Sequence, residues 1–90
     1  MRRIENQEGD IILIRWFDAW HDPEYQGSAS DIRDFRVELE DVGFYIKEED
    51  GYVVTALERS LGGNYRHLNF IPRVNIRFIK RLRNAIKPVS

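Results

Sequence analysis

Two histidines, four turn-borne or terminal serines and one acidic run are the residues from which any catalysis or metal binding here would have to be built. His21 and His67 stand 46 positions apart, and neither has a second donor at the spacing by which one helix or strand presents two ligands to a metal. His21-Asp22, in a loop, reads as an exposed pair. Ser28, Ser30, Ser60 and Ser90 fall in turn-rich stretches or the tail, outside any strand-turn-helix nucleophile pattern. Glu38, Glu40, Asp41, Glu48 and Glu49 are dense enough to pair for general acid-base work, yet alternation sets Glu38 and Glu40 on a solvated strand face. No catalytic constellation results, so the expectation is a protein that is not an enzyme and takes no metal or cofactor.

Nucleic-acid binding has more to work with. Arg66, Arg73, Arg77, Lys80, Arg81 and Arg83 concentrate in the last third, with Tyr52, Tyr65 and His67 near them in sequence. Cations interleaved with aromatics hold single strands with little sequence preference. The competing reading is that these cations solvate a sheet edge, and a pI near 6.1 argues against strong duplex DNA binding. Phe17 and Trp20, on the far side of their strand from Trp16, read as a subunit interface ahead of a ligand cap.

These side chains need strands to hold them. Residues 42–79 contain three strand-like runs, broken at Asp50-Gly51 and at Gly62-Gly63-Asn64, both with turn chemistry. A first strand over residues 10–20 sets Ile12, Ile14 and Trp16 on one face and Ile11, Leu13, Arg15 and Phe17 on the other. Both faces are largely apolar, so both need cover. Residues 21–34, rich in Pro, Gly, Ser and Asp, read as a long flexible loop in which Ser30-Asp31 could start one helical turn. A second strand over residues 35–49 alternates Phe35, Val37 and Leu39 with charged residues, then shifts phase at Gly43 to Val42, Phe44 and Ile46, the mark of a bend. Strands follow at 52–59, at 65–71 up to Pro72, and at 74–79. The basic tail, about residues 80–90, either extends the fifth strand or forms a short terminal helix over 79–86.

Ninety residues make a single domain, 1–90, and one this small buries only roughly 60 to 65% of the surface its unfolded chain exposes, which favours association of copies. No apolar run approaches a membrane span. The basic start lacks an apolar stretch behind it and there is no cysteine, so the expected address is the cytoplasm. Residues 1–50 hold 14 acids and 6 bases while residues 51–90 hold 1 acid and 8 bases. Either opposite edges of neighbouring copies meet head to tail, or the two halves compensate within one monomer.

Within residues 42–79 the chain resembles the Sm-like family of small β-barrels, including the bacterial host-factor type. Gly43 followed by Asp50-Gly51-Tyr52-Val53-Val54-Thr55 matches the pattern of the first Sm motif with one extra residue between its parts, and Ile71-Pro72-Arg73-Val74-Asn75-Ile76 stands where the second motif would be. The resemblance covers about 40 of the 90 residues and is one of pattern more than identity. It implies an all-β, five-stranded, strongly bent barrel. It also implies a homo-oligomeric ring of five to seven copies in which strand four pairs with strand five of the next. The resemblance implies single-stranded RNA stacked on Tyr52 beside Arg73; with the basic and aromatic residues above, the expected site for RNA or a small nucleotide is Tyr52, Arg73, Asn75, Arg77, Tyr65 and His67, and the expected subunit interface is Phe17, Trp20, Asn69, Ile71, Ile76 and Phe78. Val54 stands where the family has the base-reading Asn, and Pro72 where it has Arg. An apolar Val offers no hydrogen bond to a uracil edge, so the fold is expected without the uridine-specific pocket. Trp16-Phe17-Asp18-Ala19 is also similar to a strand of small phage-encoded proteins. The alternative expectation is a bacterial or phage structural or protein-interaction accessory protein with no nucleic-acid ligand.

Overall fold

The computed structural model describes residues 5–19 and 36–86; Trp20, the expected loop at 21–34 and the last four residues lie outside the described residues. Five strands form one antiparallel sheet: β1 (Ile11–Ala19), β2 (Arg36–Glu49), β3 (Tyr52–Arg59), β4 (Tyr65–Pro72) and β5 (Ile76–Arg83). A single 3-10 turn, Arg73–Asn75, joins β4 to β5. The order across the sheet is β4-β3-β2-β1-β5. Among the described residues no helix is long and apolar enough to cross a membrane.

The order leaves β4 and β5 at opposite edges, yet only three residues connect them. Pro72 and Ile76 can therefore be no more than about 14 Å apart. A flat five-stranded sheet would separate its edge strands by roughly 19 Å, so the sheet must roll. The core shows the same thing. Ile12 and Ile14 from β1, Val53 from β3 and Ile71 from β4 are fully buried together, and Ile76 and Ile79 from β5 pack on that cluster with Trp16 and Tyr45. One core thus takes side chains from both edges. The expected barrel is rolled without being closed, because no ladder joins β4 to β5.

β2 changes ladder in mid-course. Its first part, up to Phe44, pairs with β1 and its last part, from Phe44, with β3. Gly43 sits at this crossing because a side-chain carbon there would stand 2.7 Å from the Ala56 carbonyl oxygen. The phase change expected at Gly43 lies further on. By register Leu39, Asp41 and Gly43 face inward opposite Trp16, Ile14 and Ile12, and Tyr45 continues the series into the core. The ladder slips only between Tyr45 and Lys47, where Ile46 is the extra residue. Asp50 and Gly51, at φ 51° and 81°, close the β2–β3 hairpin with the two positive φ values that such a two-residue turn needs.

The fifth strand starts later and runs further than its alternation suggests. Val74 belongs to the 3-10 turn and is 85% exposed, whereas residues 79–83, the start of the possible helix, are strand. The turn is needed because β4 must deliver the chain to the free side of β1, and Pro72, with no N–H, ends its ladder there.

Asp10 locks the end of this roll. Its carboxylate is buried, accepts the Gln7 N–H at 2.8 Å and the Ala85 N–H at 2.7 Å, and stands 2.9 Å from Arg81 Nε. The carboxylate oxygen lies off the line of the Arg81 Nε–H bond, so the contact is charge attraction more than a directed hydrogen bond. Arg81 Nη2 also donates to the Glu5 carbonyl at 2.5 Å. The Asp10 carbonyl accepts the Tyr45 N–H at 2.8 Å.

Gly43→Ala is expected to lower stability by about 1 to 3 kcal/mol, since the Ala56 backbone cannot retreat freely. Gly62→Ala, where the nearest atom is 3.9 Å away, serves as the control and leaves the urea midpoint in place. Equal midpoints for both variants would contradict the crossing.

Candidate binding surfaces

Three elements meet at one end of the roll. The Arg73 N–H donates to the Gly51 carbonyl at 2.8 Å, so the 3-10 turn sits on the β2–β3 hairpin, and Tyr52 lies beside Pro72 in the ladder. Tyr52, Arg73 and Asn75, distant in sequence, are thereby brought to one junction. Tyr52 is 44% exposed and Asn75 half-buried.

The other residues expected to touch nucleic acid are elsewhere. Tyr65 begins β4, about 23 Å along the strand from Pro72, with its ring 6.2 Å from that of Phe44. His67 is exposed at φ 58° with Nε2 3.7 Å from Glu58. Arg77 lies at the start of β5, paired with Glu38 at 2.6 Å and over the Phe17 ring at 5.8 Å.

The cations are mostly spoken for. Arg73 pairs with Glu48 at 3.2 Å, Arg66 with Glu58 at 3.1 Å and Arg81 with Asp10, in addition to Arg77 with Glu38. Three of these four acids come from the acidic half of the chain. β2 is flanked on both sides, and β5 and the 3-10 turn reach back to it and to Asp10. Among the described residues the charge asymmetry is therefore answered in part inside one monomer, by three pairs between the two halves. Lys80 and Arg83 make no ion pair among the described residues; by register they stand opposite Leu13 and Ile11.

The junction itself is acidic. A cleft of about 400 Å³ opens beside it, floored by Val53 and Ile79 and edged by Glu5, Glu8, Tyr45, Lys47, Glu48 and Arg73. With Glu49 and Asp50 of the hairpin, five acids stand against two bases. Tyr45 reports this environment: desolvation first, then the neighbouring Glu48 carboxylate, raise its phenol above the ordinary 10.0, against the pull of Arg73. Lys47 is raised too, first by its hydrogen bond to Glu49, 2.6 Å away.

The interface residues also divide. Ile71 is 1% exposed and belongs to the monomer core, so its side chain cannot serve a neighbouring copy as expected. Ile76 packs on that core, Asn69 is half-buried opposite Thr55, and Phe17 is half-buried beside Arg77. Phe78 is 40% exposed, with the Arg15 guanidinium 4.9 Å above its ring. Trp20 lies outside the described residues. Sequence reading passed over Leu68 and Phe70, which are 47% and 60% exposed on β4. The signal was present: they alternate with Asn69 and Ile71, and the buried partner Ile71 fixes which face is left outward.

Comparison with family models, curated proteins and solved structures finds no match for this chain.

The Tyr45 shift has a measurable sign. The folded chain keeps this phenol neutral to higher pH than the unfolded chain does, so its contribution is complete below pH 10.0 and is lost as pH rises through the folded value. Between about pH 9 and about pH 11 the urea midpoint should fall more steeply in the natural protein than in Tyr45→Phe. Parallel curves would contradict the acidic, desolvated setting of the cleft.

Proposed function

We propose that this chain is a non-catalytic interaction module that binds protein, a structural or accessory component of bacterial or phage type, with no nucleic-acid ligand. The pairing of its cations supports this most. Of the six cations expected to meet phosphate, Arg66, Arg73, Arg77 and Arg81 are each held by an acid, and Lys80 and Arg83 remain. Two free cations neutralise about two phosphates, and at roughly 0.7 of a log unit per phosphate the affinity for a single strand would vary only about 25-fold per tenfold change in salt. The aromatic-basic junction also carries excess negative charge, which repels a phosphate backbone.

A second reading, an Sm-like module holding single-stranded RNA or a small nucleotide, draws on one observation. The Arg73 to Gly51 contact gathers Tyr52, Arg73 and Asn75 at one place, with an exposed ring for stacking. Freeing Arg73 from Glu48 would cost little, since an exposed pair contributes about 0 to 1 kcal/mol.

The two readings separate on purification and titration. The first expects a protein absorbance spectrum with no ribonuclease-sensitive component, and no saturable binding of a fluorescent oligouridine at low salt. Salt-sensitive binding that Tyr52→Ala and Arg73→Ala both abolish would overturn it in favour of the second.

A further inference from the structure

The geometry points to self-association of this chain along β4: two copies lay their β4 edges together antiparallel, across a two-fold axis, and continue the sheet from one protomer into the other.

Among the described residues nothing pairs with the outer edge of β4. Such an edge presents a row of backbone donors and acceptors ready for another strand. The side chains beside it are apolar. The register places Phe70 opposite Val54, Leu68 opposite Ala56 and Pro72 opposite Tyr52, so Phe70, Leu68 and Tyr52 share one face. These three are 60%, 47% and 44% exposed, and Val54 and Ala56 between them are buried. The patch runs to the rim of the sheet, where another strand would continue it.

Charge selects the occupant. β4 carries Arg66 and His67 near its start, with His67 at a positive φ that interrupts the ladder there, and no charged residue from Leu68 to its end, so the regular open edge is Leu68 to Ile71. Arg66 is already balanced by Glu58. An antiparallel pairing centred between Leu68 and Phe70 brings Leu68, Asn69 and Phe70 of both strands together and keeps the two Arg66 side chains apart at opposite ends. The other edge is guarded. β5 has Arg77, Lys80, Arg81 and Arg83 within eight residues, and its ladder with β1 slips at two places. Like charges and bulges are the means by which edges avoid pairing. β4 and β5 do stand as opposite edges, as a ring built by pairing one with the other requires, but that pairing would have to overcome these features on every copy.

Self-association is independent of whether the partner is protein or nucleic acid, and the test is the mass in solution. Sedimentation equilibrium of the full chain at micromolar concentration is expected to give twice the protomer's 10.7 kDa. Leu68→Lys and Phe70→Lys, on exposed side chains, should weaken the dimer about 100-fold or more while leaving the urea midpoint of the monomer in place. Phe78→Lys on β5 should leave the dimer intact. Hydrogen exchange adds a readout free of substitution, with β4 amide protection that rises with protein concentration while β5 protection does not. A monomer at every concentration, or a mass of five to seven protomers that Phe78→Lys breaks down, would overturn the proposal.

Discussion

A buried carboxylate holds this fold in register. Asp10 is 2% exposed, and a charge so placed is tolerated only where donors and an opposite charge surround it. It has both. Two backbone N–H groups, one from Gln7 before the first strand and one from Ala85 after the last, meet its two oxygens, and Arg81 supplies the countercharge. Its own carbonyl takes the Tyr45 N–H, just past the point where β2 passes from one ladder to the other. One residue therefore ties both ends of the described chain to the middle of the sheet. Without it, the β1–β5 ladder, which already slips twice, would lose the contact that fixes its far end.

The clamp matters because the core is small. Four side chains form the fully buried cluster, and the sheet reaches it from both edges only by rolling. A roll that does not close leaves two open rims and, among the described residues, exposed apolar side chains that include Phe70 and Leu68 on the β4 edge. Opposite charges do what the core cannot: Arg15 with Glu40, Arg77 with Glu38 and Arg73 with Glu48 lace neighbouring elements across the surface. Each such pair contributes modestly. Their larger consequence is that four cations of the basic half, Arg66, Arg73, Arg77 and Arg81, each face an acid, which lowers the positive charge that half offers to a ligand.

Much of the fold was legible in the sequence because local chemistry determines it. The Asp50-Gly51 step dictates a hairpin, the alternation of Ile12, Ile14 and Trp16 orients β1, and Gly43 marks where another backbone passes close. The errors lie where tertiary demands override pattern. Val74, Ile76 and Phe78 alternate as a strand would, but the chain must cross from one edge of the sheet to the other, and Val74 goes to the turn that makes this crossing. The phase shift read at Gly43 belongs to Ile46, because Gly43 meets a steric need and leaves the register intact. The site suffered more. Grouping by sequence sets Tyr65 and His67 with Tyr52, although they lie near the start of β4 and Tyr52 pairs with its last residue, Pro72. Nothing local to residues 73–83 says that Arg73, Arg77 and Arg81 each have an acid waiting 25 or more positions earlier.

The most direct test of this account is Asp10→Asn, which keeps the shape of the side chain but removes the charge and one acceptor. Followed by urea unfolding together with amide exchange at Gln7 and Ala85, it should cost about 3 kcal/mol or more and expose at least one of the two amides to faster exchange. A variant within about 0.5 kcal/mol of the natural protein, with both amides still protected, would contradict it.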